Sequence, residues 1–456
     1  MANFFPRNVI LISLDTLRHD CISAESNRLF LGELAPLVQT PNIDRLAAEG
    51  VRFSNCVSSC PLTTPSHAAM FTGMYWPKHR VFHQFETPMS ARALPLAERL
   101  KKHKFFTLQN SGRALGEGAM FESKHTGLRR GYEKSVFAAD LQHQTIKFIT
   151  KQKAPWYLFF HTFNVHWPYG ITPEAFDTQL ASAWSSDDWT QVRRTYIENA
   201  NRVDAQIGDL LAMLDQTGQR EDTLIVLTAD HGEGLNRRVP MHGAVNGGLD
   251  EVIRVPLIFH HPRSLKGNVT VDAPVRTIDI VPTILNLLGI TDPYDPGFEM
   301  VDGRSLWPLM RGEVLAEKPA CFCCFTYDFE ADRPFLRGVR TREWKLILND
   351  CTESEINRFA ERIRTKMQWP LKDEVRLEGM RDILKRESFV ELYDLRQDPF
   401  EQTNVAEANP EVVNHLVAEL AQVDPGVRIN QRSSSSLSKE ELDILKQQLV
   451  DLGYMI

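Results

Sequence analysis

Asn8-Val-Ile-Leu-Ile-Ser-Leu-Asp15 and Thr223-Leu-Ile-Val-Leu-Thr-Ala-Asp-His-Gly-Glu233 share one pattern: an apolar run that ends in a carboxylate. Such runs, without polar alternation, predict strands buried on both faces, as in a parallel sheet covered by helices. Similar runs at Phe105–Gln109, Trp156–Thr162 and Val255–His260 alternate with helical patterns at Leu94–Lys102, Trp189–Thr217 and Thr277–Leu288. Thr40–Gly50 adds a helix with Pro41 near its start and Gly50 at its end. These features predict an α/β fold, a large and mostly parallel sheet flanked by helices. Sheets of this kind place chemistry at the carboxyl ends of their strands, where both acidic clusters fall.

From about Pro334 the texture changes. Leu336–Leu348 and Phe389–Leu395 read as antiparallel strands with tight turns, and Thr352–Glu387 between them is a highly charged helical stretch. Its charges suit a solvated face, with an oligomer contact or substrate lid as alternatives. Ser433–Ser436 reads as a linker into a last helix, Lys439–Leu452. The expected organisation is a catalytic domain over 1–333, a smaller C-terminal α+β unit with an antiparallel sheet over 334–432 carrying the insert 352–387, and the linker with terminal helix over 433–456.

Composition sets outer bounds. The 456 residues carry 52 basic and 59 acidic side chains, a net charge of −7, with 43% hydrophobic and 24% charged residues. These are globular values and exclude global disorder. The acidic balance argues against a nucleic-acid polymer as partner, because a phosphate backbone needs a basic surface. No apolar run approaches the roughly 20 residues of a membrane-spanning helix. The run Asn8–Leu14 is too short for a secretory signal, so a cytoplasmic protein without membrane contact is expected, with a homo-oligomer left open. The seven cysteines then read as reduced thiols, and Cys321, Cys323 and Cys324 as strand packing rather than metal ligands.

Three clusters carry chemistry. Asp15 closes a buried strand, where a carboxylate is costly unless a cation compensates it. Asp230 and His231 sit side by side at another strand end, and Gly232 allows a bend that turns both toward one ion. The third cluster is Pro61-Leu-Thr-Thr-Pro-Ser-His-Ala-Ala-Met-Phe-Thr-Gly73. Pro65 and Ser66 suit the first turn of a helix, which puts Thr63 or Thr64 at its mouth, where backbone N–H groups favour an anion. A hydroxyl there, activated by a metal, can attack phosphorus or sulfur; the plain alternative is a turn that caps the helix.

In order and spacing these clusters resemble the sulfatase branch of the alkaline phosphatase superfamily. Thr40-Pro-Asn-Ile-Asp-Arg-Leu46, Asp250–Ile258, Thr277–Thr283, Asp302–Leu306, Arg340–Lys345 and Leu392–Pro399 extend the resemblance over nearly the whole chain. It implies an alkaline phosphatase-like α/β fold with a smaller C-terminal domain. Many sulfatases carry Cys-x-Pro-Ser-Arg, whose cysteine is oxidised to formylglycine. Alignment on Pro65, Ser66 and Thr72-Gly73 sets Thr63 at that cysteine and His67 at that arginine. Cys60 lies five residues before Pro65 and cannot take the role, and threonine cannot become formylglycine. The family's aspartate doublet is here Asp15-Thr16. Thr63-Thr-Pro-Ser-His67 is instead similar to the Thr-x-Pro-Asn-His of nucleotide pyrophosphatase/phosphodiesterases, whose threonine is the nucleophile, and the single aspartate resembles phosphonate monoester hydrolases.

The resemblance implies Asp15, Thr63, Asp230 and His231 as holders of one divalent metal (Mn, Ca, Mg or Zn), a second Zn being the alternative. It implies His166 and His242 at the ester oxygens or the leaving group, and His67, Lys345 and Arg18 around the substrate. Each has a plainer reading. His161 reads as a core histidine, Lys345 equally as an exposed strand lysine, Arg18 as a partner of Asp15 or of a substrate anion, and Asp204 as an ordinary helix residue. The expected activity is metal-dependent hydrolysis of a small anionic ester, a phosphodiester or phosphonate monoester, through Thr63. Sulfate ester hydrolysis without formylglycine, phospho-group transfer and a non-catalytic binding role are the competing readings.

Overall fold

The computed structural model describes residues 5–25, 29–82, 88–112, 121, 126–137, 145, 147–152, 155–239, 248–290, 301–324, 336–349 and 390–427. The charged insert 352–387, the segment 433–456 and His242 lie outside them.

β1 (Asn8–Leu14), β2 (Val51–Val57), β3 (Phe106–Ser111), β4 (Lys134–Phe137), β5 (Trp156–Thr162), β6 (Thr223–Thr228), β7 (Arg254–His260), β8 (Val269–Val271) and β9 (Val275–Arg276) form one sheet. Its order is β4-β3-β5-β1-β6-β7-β2-β8, with β9 also on β2. All seven residues of β1 and of β5 are buried, as their unbroken apolar runs predict. Five neighbouring strands, β4 through β6, run parallel.

β7 is the departure: it runs antiparallel to both β6 and β2. The chain leaves β6 and enters β7 at the same edge of the sheet, through a helical turn at Asp250–Ile253. A parallel connection needs a crossover to the opposite edge, which this connection does not make. β2, antiparallel to β7, therefore ends at the same edge as β1, β5 and β6. Asp15, the approach to Thr63, His161 and Asp230 all meet there.

Among the described residues, the α-helices of seven residues or more are α1 (Pro41–Glu49), α2 (Thr63–Thr72), α3 (Leu96–Lys102), α4 (Pro173–Ser186), α5 (Thr190–Gln216), α6 (Ile280–Leu287) and α7 (Pro410–Val423). The stretch expected as one helix from Thr277 begins as a short 3-10 turn, Thr277–Asp279, before α6. Every residue of α2 is buried. Ala68, Met70 and Phe71 join the main core, while Leu62 and Ala69 join a second core shared with the C-terminal unit. Gly73 ends α2 at φ 71, where a Cβ would come within 2.9 Å of the Val301 side chain. Asp204 of α5 caps α1, accepting from the Asn42 and Ile43 backbone, as an ordinary structural residue does.

The second sheet, β10 (Ala320–Cys324), β11 (Leu336–Arg340), β12 (Trp344–Asn349) and β13 (Val390–Asp394), is antiparallel throughout. It begins at Ala320, ahead of the expected boundary at 334. α7 packs Leu416, Val417 and Leu420 onto it. The six described cysteines are buried and form no disulfide with one another, with Cys321, Cys323 and Cys324 inside β10. Among the described residues, no helix is long and apolar enough to cross a membrane.

Candidate active site

Asp15 follows β1 directly, and its N–H donates to Thr162 O at 3.1 Å, so the carboxylate leaves the sheet beside the end of β5. Asp230 stands two residues past β6. Both are fully buried. Asp230 Oδ1 accepts from the backbone N–H of His231 (2.9 Å) and Thr16 (3.2 Å). Its main-chain carbonyl accepts from Ser58 Oγ (2.5 Å) and Ser66 Oγ (2.7 Å). Gly232 is required where it stands, because a Cβ would lie 2.4 Å from Glu251 O.

Thr63 is the first residue of α2, and Thr63 Oγ1 lies 3.5 Å from Asp15 Oδ2. The first turn of a helix has N–H groups without intrahelical acceptors, which favours an anion at this end. Thr16, at the family's second-aspartate position, is held at φ 58, a strained conformation for a β-branched residue. Tyr196 OH secures it by donating to Thr16 O at 2.7 Å.

Three imidazoles, those of His231, His161 and His67, flank the carboxylates. His231 donates Nδ1–H to Gly232 O at 3.0 Å, which turns Nε2 to 3.5 Å from Asp230 Oδ2. His161 sits with Nε2 3.3 Å from Asp15 Oδ2, in a cage of Phe121, Phe159 and Phe163. The sequence reads His161 as a core histidine, and the structure sets it, fully buried, beside Asp15. Its place at the carboxyl end of β5 was the available signal, and pairing of Ser13 with His161 across β1 and β5 completes it. His67 uses both ring nitrogens: Nδ1–H donates to Thr63 O (2.8 Å), and Nε2 accepts from Ser13 Oγ (2.9 Å). It therefore braces Thr63 rather than presenting a donor to a substrate. His166 is buried and hydrogen bonds Trp167 O through Nδ1 at 2.9 Å.

Burial alone would raise the pKa of Asp230, but His231, His67 and His161 outweigh it and hold the carboxyl below the usual range. Burial, followed by the neighbouring His67 imidazole, pushes His161 well below the ordinary imidazole value. Burial likewise lowers His67. Burial thus disfavours the charged form of His161 and His67 beside an Asp230 held anionic.

Two expected substrate contacts are placed elsewhere. Lys345 is neither exposed nor at the Thr63 cluster: it is fully buried, 2.5 Å from both Asp250 Oδ1 and Glu401 Oε1. Arg340 forks onto the same Asp250 at 2.8 Å through two nitrogens, joining the second sheet to the turn before β7. Arg18 pairs with Asp20 and Glu251 rather than Asp15, and donates to Glu233 O and Gly234 O. Pairing of a buried charge with carboxylates from another element is set by tertiary neighbours, which spacing along the chain does not encode.

The cluster fits a divalent cation. Thr16 Oγ1, Asp230 Oδ2 and His161 Nε2 are buried polar atoms without a hydrogen bond among the described residues. Each such atom costs about 1–3 kcal/mol unless something compensates it. Asp15, Asp230 and His231 offer ligand atoms within 4.8 Å of one another, and so do His67, His161 and Asp230. Two carboxylates, an imidazole and a hydroxyl form an oxygen-rich donor set of the kind that holds such ions.

The sulfatase family profile matches residues 7–290, more than half of the chain. The chain belongs to the sulfatase family. A second profile, N-sulphoglucosamine sulphohydrolase, C-terminal, matches residues 248–360 of this sulfatase-family chain. An ulvan-active sulfatase of Formosa agariphila is 24% identical over 447 residues, covering 83% of this chain and 69% of that protein. The phosphonate monoester hydrolase of Agrobacterium radiobacter has the same fold, with a TM-score of 0.68, 21% identity and coverage of 91% of this chain and 95% of that one. So does a protein solved with its substrate D-glucosamine-2-N,6-O-disulfate, at a TM-score of 0.66, 18% identity and coverage of 94% and 100%. The protein is thus a sulfatase-family hydrolase of the alkaline phosphatase superfamily, a type of enzyme that binds a divalent metal.

Proposed function

We propose that this hydrolase cleaves phosphate-type esters, a phosphodiester or a phosphonate monoester, with Thr63 as covalent nucleophile. The reading rests on one observation: Thr63 Oγ1 stands at the mouth of α2, 3.5 Å from Asp15 Oδ2, where the family's nucleophile belongs. Asp15, Asp230, His231 and Thr63 would hold the cation. A divalent ion bound there supplies charge that lowers the pKa of the threonine hydroxyl and offsets charge building on the ester oxygens.

The chain's own groups do the rest. The α2 N-terminus orients the anionic head of the ester, and His67 holds the Thr63 carbonyl so that Oγ1 faces it. Thr63 Oγ attacks phosphorus in line, passing its proton toward the nearest carboxylate, Asp15. The bond from phosphorus to the alcohol oxygen breaks as His166 or His242 protonates that oxygen. Water then attacks phosphorus, releasing the acid and restoring the threonine hydroxyl.

Sulfate esters are the second reading, favoured by the ulvan-active relative. Threonine lacks the aldehyde hydrate from which sulfate departs by elimination, so a sulfo-threonine must be hydrolysed directly. The test is a panel of bis(nitrophenyl) phosphate, nitrophenyl phenylphosphonate, nitrophenyl phosphate and nitrophenyl sulfate, with metal-depleted and metal-restored enzyme. Turnover of the diester or phosphonate at least about tenfold above the sulfate is expected. A sulfate that is turned over fastest overturns the phosphate reading.

A further inference from the structure

The loops that follow Asp15 and His231 leave the same edge of the sheet and enclose a cavity of about 320 Å³. Arg18, three residues after Asp15, and Gly234, three after His231, form its floor, and Arg193, Arg238, Phe30 and Phe400 its walls. The volume is at the small end of ligand pockets, which run from about 300 to 1,000 Å³. None of these residues has a part in the chemistry at Thr63.

The charges around the cavity are unevenly matched. Arg18 is occupied by a fork onto Asp20, at 2.8 Å through Nε and Nη2, and by Glu251 at 3.2 Å. Glu251, the acidic wall residue, is further held by Asn236 through both carboxylate oxygens, at 2.7 and 2.8 Å. Arg238 lies over the Tyr393 ring and donates to its hydroxyl at 2.6 Å. Arg193 differs. Its Nε donates to Leu235 O at 3.0 Å, but among the described residues no carboxylate stands within ion-pair distance and the two terminal nitrogens make no hydrogen bond. Burial, then the charge of Arg18, depresses its pKa; Glu251, Asp20 and Asp188 pull the other way. A guanidinium in this state gains most from an incoming anion, which it can meet with two parallel N–H groups.

The opposite wall is apolar. Phe30 and Phe400 meet edge to face with centroids 5.1 Å apart, and Phe400 is a large hydrophobic residue left 38% exposed. An anionic head at Arg193 would therefore carry a body with an apolar face against this pair.

We propose that this cavity binds a second anionic group, a carboxylate, sulfate or phosphate, on the alcohol half of the substrate ester, with Arg193 as its main contact. The inference rests on the hydrolase reading for the location of the ester, but the binding it describes does not depend on Thr63. The experiment uses metal-loaded full-length protein and two probes that differ by one carboxylate, phenol and para-hydroxybenzoate, titrated by calorimetry. The carboxylate probe should bind at least about tenfold more tightly. Arg193→Gln should abolish that difference, and Arg193→Lys should restore part of it. Phe400→Ala, at a partly exposed position, should weaken both probes alike. Para-hydroxybenzoate should compete with nitrophenyl esters.

Equal affinities for the two probes overturn the proposal, as does a preference that survives Arg193→Gln. Non-competitive inhibition would move the anion from the substrate to an independent effector and overturn the assignment as well. The same titration on Thr63→Ala separates the two readings. Normal turnover by that variant, with the carboxylate preference intact, removes the nucleophile and keeps the subsite.

Discussion

Ser66 Oγ donates to the main-chain carbonyl of Asp230 at 2.7 Å, tying the first turn of α2 to the loop after β6. The hydroxyl serves no cap of its own helix. It ties the element that carries Thr63, the proposed nucleophile, to the element that carries Asp230 and His231, the proposed ligands. Groups behind a metal's ligands typically change its affinity by about 10–100-fold when removed. Ser66→Ala should therefore fold, lose about 1 kcal/mol of stability, and weaken metal binding within that range. Urea denaturation and metal titration check this, and unchanged affinity would show that Ser58 alone holds the carbonyl.

Asp230→Ala removes the carboxylate common to both candidate ligand groups. The variant should fold, lose bound metal and lose most activity. Elemental analysis after gel filtration measures it, and full metal occupancy would sink the assignment of the centre.

Thr63→Ala should keep both fold and metal while turnover falls by several orders of magnitude, on the order of 10⁴ or more, as loss of a covalent nucleophile does elsewhere. Thr64→Ala should be mild. Trapping with a phosphoryl analogue followed by mass spectrometry should mark Thr63; an adduct on Thr64 would move the nucleophile by one residue.

If His166 protonates the leaving alcohol, His166→Ala should cost far more with alkyl esters than with nitrophenyl esters, because a stable leaving group needs little acid assistance. A plot of log kcat/KM against leaving-group pKa should steepen. Equal losses for both classes would reduce His166 to a structural residue.

Acid should weaken the fold through its buried histidines. Burial lowers His79 from 6.5 to about 3, and its Nδ1 accepts from Val81 N–H at 3.0 Å. The unfolded chain thus binds a proton that the folded chain refuses between those two values, so stability falls as pH drops through that window. His19, lowered to about 3 mainly by burial, adds to the same loss. His79→Gln, which keeps an acceptor without a titrating ring, should flatten the fall of the urea midpoint between pH 6.5 and 4. An unchanged slope would locate the acid sensitivity elsewhere.

Asp15, Asp230, His231 and Thr63, which the structure brings together, stand out in the chain as candidates because each signal is local: a carboxylate ending an apolar run, or a hydroxyl beside a proline that opens a helix. The sheet was legible for the same reason, since a buried strand displays itself in consecutive residues. His161 was not, because an imidazole in a core and one beside a carboxylate look alike until β5 is laid against β1 in register. The partners of Lys345 were equally hidden, being the carboxylates of Asp250 and Glu401 from distant segments, and Arg18 joins its near neighbour Asp20 to the distant Glu251. The direction of β7 also waited on the fold, because the chain leaves β6 and enters β7 at the same edge of the sheet. Local chemistry decides which residues are equipped to bind a metal and attack an ester. Strand order, register and the desolvation of charge, which depend on residues far apart in sequence, decide which of them meet.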